Sequence, residues 1–250
     1  MSQASTLEVA VKAARAAGEL LKSHFGTSLD VNAFEAHDIK LDLDVRSQEL
    51  ITSILLEHFP DHAIYGEEGL AGNQESEWQW IVDPIDGTVN FFYGLPHFCI
   101  SIALRKGDEI RLGVIYDPMR DELWSVEKGG VPTLNGKPCR VSSRNQLSDA
   151  VLSVGFSKNR DTMVNAGLPL FEKMIQRVRK CRLMGSAALD LAYVASGRLD
   201  AYIESSVSLW DIAAGQLLVE AAGGKVITTP RGEHKVSIIA SSGNLDLNVD

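Results

Sequence analysis

Apolar residues recur at helical spacing through residues 5–25, with Leu7, Val11, Ala14 and Leu21 on one face and Gly26 as a stop. A second helix is predicted from about Val45 to Phe59, where Leu50, Ile51, Ile54 and Leu55 share a side and Pro60 follows. Two short strands, 63–65 and 78–82, come next. The stretch from His97 to about Val126 reads as a three-stranded meander: FCISIAL, IRLGVIYD and ELWSVE, separated by turn signals at 106–108 and 117–121. After that the pattern changes. Helices are predicted over 163–180, 186–196 and 211–222, alternating with strands near 150–154, 200–203, 225–228 and 236–240.

A meander followed by alternating helices and strands implies layered α/β units with mixed sheets. The polar stretch 141–149 is too short for a flexible linker, so residues 1–250 are read as one body. Its halves are 1–145 and 146–250.

Composition narrows the function classes. The 250 residues carry 24 Lys plus Arg against 33 Asp plus Glu, a formal net charge of −9. An acidic chain is poorly suited to neutralising phosphates along a nucleic acid, so no nucleic-acid partner is expected. Cys99, Cys139 and Cys181 are widely spaced and form no C-x-x-C pair, which suits a reducing cytoplasm. The first segment mixes acids and bases rather than showing a signal peptide, and no run approaches the roughly 20 apolar residues of a membrane span.

The carboxylates fall in separated clusters: Asp42 and Asp44 in KLDLDVRSQE, Glu67 and Glu68 in YGEEG, Asp83 and Asp86 in IVDPIDGTVNF, and Asp211 in SLWDIAAG. Each has a plain structural reading. DPIDG is a turn string, YGEEG fits a solvated loop, and Asp211 is placed to cap a helix. Together they point further. Apolar Trp80–Val82 runs into Asp83, and Gly87 and Thr88 then open a helical turn whose free N–H groups suit a phosphate oxygen. Two carboxylates ~4 Å apart repel by about 4 kcal/mol at an effective dielectric near 20. Cations such as Mg²⁺, Mn²⁺ or Ca²⁺ would relieve that repulsion. Acids beside a phosphate-binding turn indicate metal-assisted phosphoryl hydrolysis.

These residues resemble the inositol monophosphatase family of Mg²⁺-dependent, lithium-sensitive sugar phosphatases. The resemblance rests on DLDVRSQELI, YGEEG, WIVDPIDGTVNFFYGLPHFCISIAL, GSAALDLAYVASGRLDAYIE and SLWDIAAGQLLVEAAGG, in that order. It implies an αβαβα five-layered sandwich and a homodimer acting on a small phosphate monoester. It also implies a ligand set. Glu67, Asp83 and the Ile85 carbonyl would bind one metal. Asp83, Asp86 and Asp211 would bind a second, and Glu67 would help hold a third. Asp44 and Thr88 would orient a nucleophilic water for in-line attack, with Glu67 beside them. The Gly87 and Thr88 amides would cradle the phosphate, while Asp86, Ala187, Glu204 and Asp211 would face the substrate.

Two positions depart from the family pattern: Leu41 replaces a Thr, and Ala33 replaces a Lys. Both fall in the region that supports the third metal and the lithium response. His24, His58 and His62 are expected at the surface, and His97 and Cys99 in packing roles. Arg177, Arg179 and Lys180 are expected at a solvated helix end, with a second-phosphate site as the alternative. The resemblance implies hydrolysis of inositol monophosphate or a similar polyol phosphate. Fructose 1,6-bisphosphate, alone or as a second substrate, is the alternative within the class. From another class, some bacterial relatives act as regulatory proteins in RNA polymerase and ribosomal RNA assembly.

Overall fold

A computed structural model of the chain describes residues 5–27, 29, 31–35, 38–232 and 234–248, with the backbone alone over 32–35 and 38–40. The Ala33 side chain thus lies outside the described residues. The first periodic segment forms α1 (Thr6–His24). Ser5 accepts from the Glu8 N–H at 3.2 Å while Glu8 accepts from the Ser5 N–H at 2.8 Å, so two N–H groups of the helix start find partners. A short antiparallel hairpin of β1 (Val31–Glu35) and β2 (Asp38–Leu41) leads into α2 (Asp42–His58).

The chain then builds an eight-stranded sheet. Its strands are β3 (Ala63–Gly66), β4 (Gly69–Gly72), β5 (Trp78–Asp86), β6 (Cys99–Lys106), β7 (Glu109–Asp117), β8 (Glu122–Glu127), β9 (Thr133–Leu134) and β10 (Lys137–Pro138). Their order is β10-β9-β8-β7-β6-β5-β3-β4, and only β3 and β5 pair in parallel. The short helix α3 (Thr88–Phe92) leaves the end of β5.

Residues from 151 onward make a second sheet. It contains β11 (Val151–Gly155), β12 (Lys180–Arg182), β13 (Ala201–Ser208), β14 (Lys225–Gly232) and β15 (Lys235–Ser241), in the order β12-β11-β13-β15-β14. Between these strands lie α4 (Arg160–Thr162), which runs through a π-helical turn at Met163–Gly167 into α5 (Leu168–Ile175), then α6 (Ala187–Ala195) and α7 (Leu209–Ala221).

Burial orders the layers. Val9, Ala13 and Leu21 of α1 and Ile51 and Leu55 of α2 pack on Trp80, Val82, Ile100, Ile102 and Val114. The alternate residues Ile81, Cys99, Ala103 and Ile115 pack on α6 and α7. This alternation explains why the central strands read as continuous apolar runs: both faces of the sheet are covered. The far side of α6 and α7 meets the second sheet through Tyr202, Val207, Ile238 and Ala240. Met174 of α5 covers Leu152, Ala201 and Ile203 from outside. The result is the expected αβαβα five-layered sandwich.

Close helix packing at the centre depends on Gly215, where an added Cβ would lie 2.5 Å from the Leu191 Cβ. A side chain there would force α6 and α7 apart.

Several elements differ from their sequence-based expectation. The helix expected over 163–180 stops at Ile175, because Lys180–Arg182 is an edge strand parallel to β11. Arg177 is therefore no solvated helix end: its guanidinium donates to the carbonyls of Asp246, Leu247 and Asn248 and pins the C-terminal segment. Arg179 pairs with Asp149. The second helix begins at Asp42 rather than Val45, which moves Asp44 into its first turn. His62 is not a free surface group, since its ring stacks between Phe59 and Trp78 at 5.0 and 5.8 Å. The hairpins β1–β2 and β9–β10 and the strand β4 were not expected. Each is five residues or shorter, so periodicity has little length over which to register.

Among the described residues no helix is long and apolar enough to cross a membrane.

Candidate active site

Strand alternation aims Asp83 to the same side as Ile81, toward α7. The strand is then irregular between Asp83 and Asp86, where Pro84 interrupts it. Asp83 Oδ1 accepts the Ile85 N–H at 3.0 Å, closing a tight local turn. Gly87 follows at φ +95°, a left-handed conformation that side chains resist, and caps α3. Thr88 Oγ1 donates to the Ile85 carbonyl at 2.9 Å and to Asp44 Oδ1 at 3.3 Å.

Asp44 reaches the same point from α2. Its Oδ2 accepts the Leu41 N–H at 2.8 Å, so the backbone at the helix start holds this carboxylate. The Leu41 side chain is buried in the core with Val9 and Ile51. At this position, where the resemblance implies a threonine, the side chain packs in the core and the backbone N–H contacts Asp44.

Glu67 and Glu68 occupy the turn of the β3–β4 hairpin. Gln48 of α2 fixes that turn, accepting from the Glu68 N–H at 2.9 Å and donating to the Gly69 carbonyl at 3.2 Å. Glu67 enters the cavity and meets the Lys158 ammonium at 3.8 Å.

Asp211 is the third residue of α7 and not its cap. Ser208 takes the cap position, and Asp211 Oδ2 accepts the Ser208 N–H at 2.8 Å. Asp86 is held by a different helix. Its Oδ2 accepts from the Ser186 hydroxyl at 2.5 Å and the Ala188 N–H at 2.7 Å, at the N-terminus of α6.

Asp83, Asp86 and Asp211 each place a carboxylate oxygen within 4.8 Å of the others. Among the described residues none of these three is paired with a lysine or arginine in an ion pair. Burial, then the neighbouring carboxylates, pushes Asp83 well above the usual carboxylate range. Burial first and Asp211 second push Asp86 up to about 7. Burial likewise lifts Glu67 to about 8, against the pull of Lys158. An all-oxygen set of converging, mutually repelling carboxylates fits a hard divalent cation, so these residues suit Mg²⁺.

The cluster opens into a cavity of about 760 Å³ that also reaches Gly87, Thr88, Ala187 and Glu204. Glu204 of β13 accepts from the Tyr202 hydroxyl, and burial lifts its carboxyl to about 8. Every residue of the expected site therefore borders or supports one cavity. Asp44 supports it through Thr88, and Ile85 through its carbonyl.

Sequence reasoning did not single out Ser186, Lys158, Tyr202 or Asp190. Ser186 carried a legible signal as a polar residue before the apolar run of α6, which marks a helix cap. Tyr202 lies two residues from Glu204, so strand periodicity puts both on one face. Lys158 sits on a loop with no such signal.

An acidic pocket at a glycine turn, set between two sheets in a five-layered sandwich, defines a phosphatase architecture. The chain belongs to the inositol monophosphatase family, whose sequence profile matches residues 2–247. It is 41% identical to Nus factor SuhB of Xylella fastidiosa over 227 residues, covering 90% of this chain and 82% of that protein. It is 39% identical over 236 residues to an inositol-1-monophosphatase of Mesorhizobium japonicum, covering 93% and 89%. The crystal structure of extragenic suppressor protein SuhB from Bartonella henselae superposes with a TM-score of 0.87. That match has 36% identity and covers 94% of this chain and 93% of that one.

Proposed function

We propose that the protein is a Mg²⁺-dependent phosphomonoesterase that hydrolyses inositol monophosphate or a similar polyol phosphate. The observation that carries this reading is the convergence of the Asp83, Asp86 and Asp211 carboxylates within 4.8 Å beside the Gly87–Thr88 turn. On this reading Glu67, Asp83 and the Ile85 carbonyl hold one Mg²⁺, Asp83, Asp86 and Asp211 hold a second, and Glu67 also serves a third. Bound there, the ions neutralise phosphoryl charge and make a water acidic enough to act as a nucleophile near neutral pH.

The chain's own groups then have distinct tasks. Thr88 and Asp44 form a short relay, with the Thr88 hydroxyl donating to Asp44, that orients the attacking water and accepts its proton. Glu67 stands by as a second acceptor. The Gly87 and Thr88 amides bind a phosphoryl oxygen at the start of α3. Asp86, Ala187, Glu204 and Asp211 face the alcohol portion. A homodimer is expected from the family resemblance.

A panel of inositol 1-phosphate, fructose 1,6-bisphosphate, histidinol phosphate and 3′-phosphoadenosine 5′-phosphate tests the reading. Release of phosphate from inositol 1-phosphate that requires Mg²⁺ and stops with chelator is expected. Preference for the bisphosphate would move the assignment to the alternative within the class, and no hydrolysis of any ester would overturn it.

The name Nus factor carried by relatives such as the Xylella protein favours a second reading, in which the chain serves as a regulatory binding protein. Capture of partner proteins on the purified chain, together with silence across the ester panel, would support that role.

A further inference from the structure

Beyond the metal carboxylates, one acidic group in the cavity has no role in the hydrolysis described above. β11 and β13 run in parallel, with Ser153 opposite Tyr202 and Gly155 opposite Glu204. Residues two apart on a strand share a face, so these four positions form one patch under α6. Gly155 keeps the patch open: a Cβ there would lie 1.9 Å from Glu204 Oε2 and 2.8 Å from the Tyr202 hydroxyl.

Asp190 of α6 closes the patch from above. It is buried, with 2% of its surface exposed, yet it borders the cavity beside Tyr202 and Glu204. The Ser153 hydroxyl donates to its Oδ2 at 2.6 Å. Its Oδ1 is also buried and has no hydrogen-bond partner among the described residues. Buried carboxyl oxygens are nearly always satisfied, which leaves Oδ1 an acceptor for an ordered water or for a group that enters the adjoining cavity. Asp190 does not join the converging Asp83, Asp86 and Asp211 set. The complement it selects is therefore a hydrogen-bonding ligand group rather than a shared cation.

We propose that Asp190 is a further substrate-recognition residue, whose Oδ1 hydrogen-bonds a hydroxyl of the polyol part of the substrate next to Glu204. This rests on the polyol-phosphate reading above. Two carboxyl groups in one patch could equally face an ammonium group. Burial, however, holds both Asp190 and Glu204 toward their neutral forms, which suit a hydroxyl. The pair of acids, one pinned by Ser153 and one by Tyr202, then reads neighbouring hydroxyls of a sugar or cyclitol. A site built to bond a hydroxyl discriminates strongly against substrates that lack it.

The test compares inositol 1-phosphate with p-nitrophenyl phosphate, whose leaving group carries no further hydroxyl, in Asp190→Ala, Ser153→Ala and Glu204→Gln proteins. Asp190→Ala is expected to raise KM for inositol 1-phosphate about tenfold more than KM for p-nitrophenyl phosphate. Ser153→Ala only unpins the Asp190 side chain, so a smaller shift of the same sign is expected, and this variant decides the matter if Asp190→Ala does not fold. Equal changes on both substrates would mark a structural role and overturn the proposal. Selective loss with Glu204→Gln but none with the other two variants would overturn it while leaving the polyol reading intact. A larger effect on histidinol phosphate than on inositol 1-phosphate would make the partner an ammonium and overturn it too. Wild-type protein that turns over no ester would remove the polyol reading and the proposal together.

Discussion

Asp86 Oδ2 lies 2.5 Å from the Ser186 hydroxyl, which is 100 residues further along the chain. The contact joins the end of β5 in the first sheet to the start of a helix in the middle layer. Ser186 also accepts the Leu189 N–H at 3.4 Å as the cap of α6. Ser186→Ala should therefore act twice. Loss of the cap costs about 1 kcal/mol of stability. On the proposed reading, in which Asp86 ligates Mg²⁺, loss of the neighbouring hydroxyl should weaken Mg²⁺ binding by roughly 10–100-fold, the usual effect of removing a partner from a metal-ligating carboxylate. Calorimetric titration with Mg²⁺ reads the second effect directly, and unchanged affinity would contradict it.

Asp83 is expected to be indispensable for turnover and dispensable for folding. It is buried among like charges and forms a hydrogen bond with Asp211. Asp83→Asn keeps the shape and removes one repelling group. Its Mg²⁺-dependent hydrolysis should disappear, while its melting temperature in chelator should be no lower than that of the parent. Activity near the parent level in this variant would remove Asp83 from the site.

The acids also set a pH dependence. Burial lifts Glu67 and Glu204 from 4.5 to about 8, and Asp86 from 3.8 to about 7. Over the interval between those values, the folded, metal-free protein retains protons that the unfolded chain has released. Stability from these groups is thus complete below the unfolded values and falls as pH rises through the folded ones. Melting in chelator should occur at a lower temperature near about pH 9 than near about pH 6, with Mg²⁺ restoring the loss at the higher pH. A melting temperature in chelator that rose across this interval would contradict the assignment.

Gly87 offers a test of the phosphate turn. Its φ of +95° and the 3.0 Å approach of the His97 carbonyl to a built Cβ leave no comfortable place for a side chain. Gly87→Ala should cost about 1–2 kcal/mol through backbone strain alone. It should also weaken competitive inhibition by inorganic phosphate, because the Gly87 and Thr88 amides would be re-aimed. Thermal melts and phosphate inhibition constants check the two parts separately. Parent-like inhibition would place the phosphate elsewhere.

Much of the site was legible along the chain because its chemistry is local. An apolar strand that ends in Asp83, a proline, Asp86 and a Gly-Thr pair specifies carboxylates at a strand end and amides at a turn, whatever surrounds them. The tryptophan before Asp211 and the apolar run after it place that acid at the start of a buried helix in the same way. The helix bearing Asp44 was legible too, but its start was not. Asp44 reaches the Leu41 N–H as a first-turn residue, and β2 leads straight into that turn.

Hydrophobic periodicity and short turn motifs by themselves determined the long helices, the three-stranded meander and the carboxylates at strand ends and turns, while Glu204 was singled out only by the family resemblance. These depend on neighbours within a few positions, where spacing fixes which side chains share a face. Only the tertiary structure decided that the N-terminus of α6 meets Asp86, that Ser153 pins Asp190, and that Gly155 leaves space for Glu204. It also decided that residues 180–182 form an edge strand, because β11 was there to pair with them. Each of these is a contact between segments distant in sequence, and no local pattern encodes the partner. Stacked layers bring such segments together, and there burial, unpaired oxygens and repelling charges become specific.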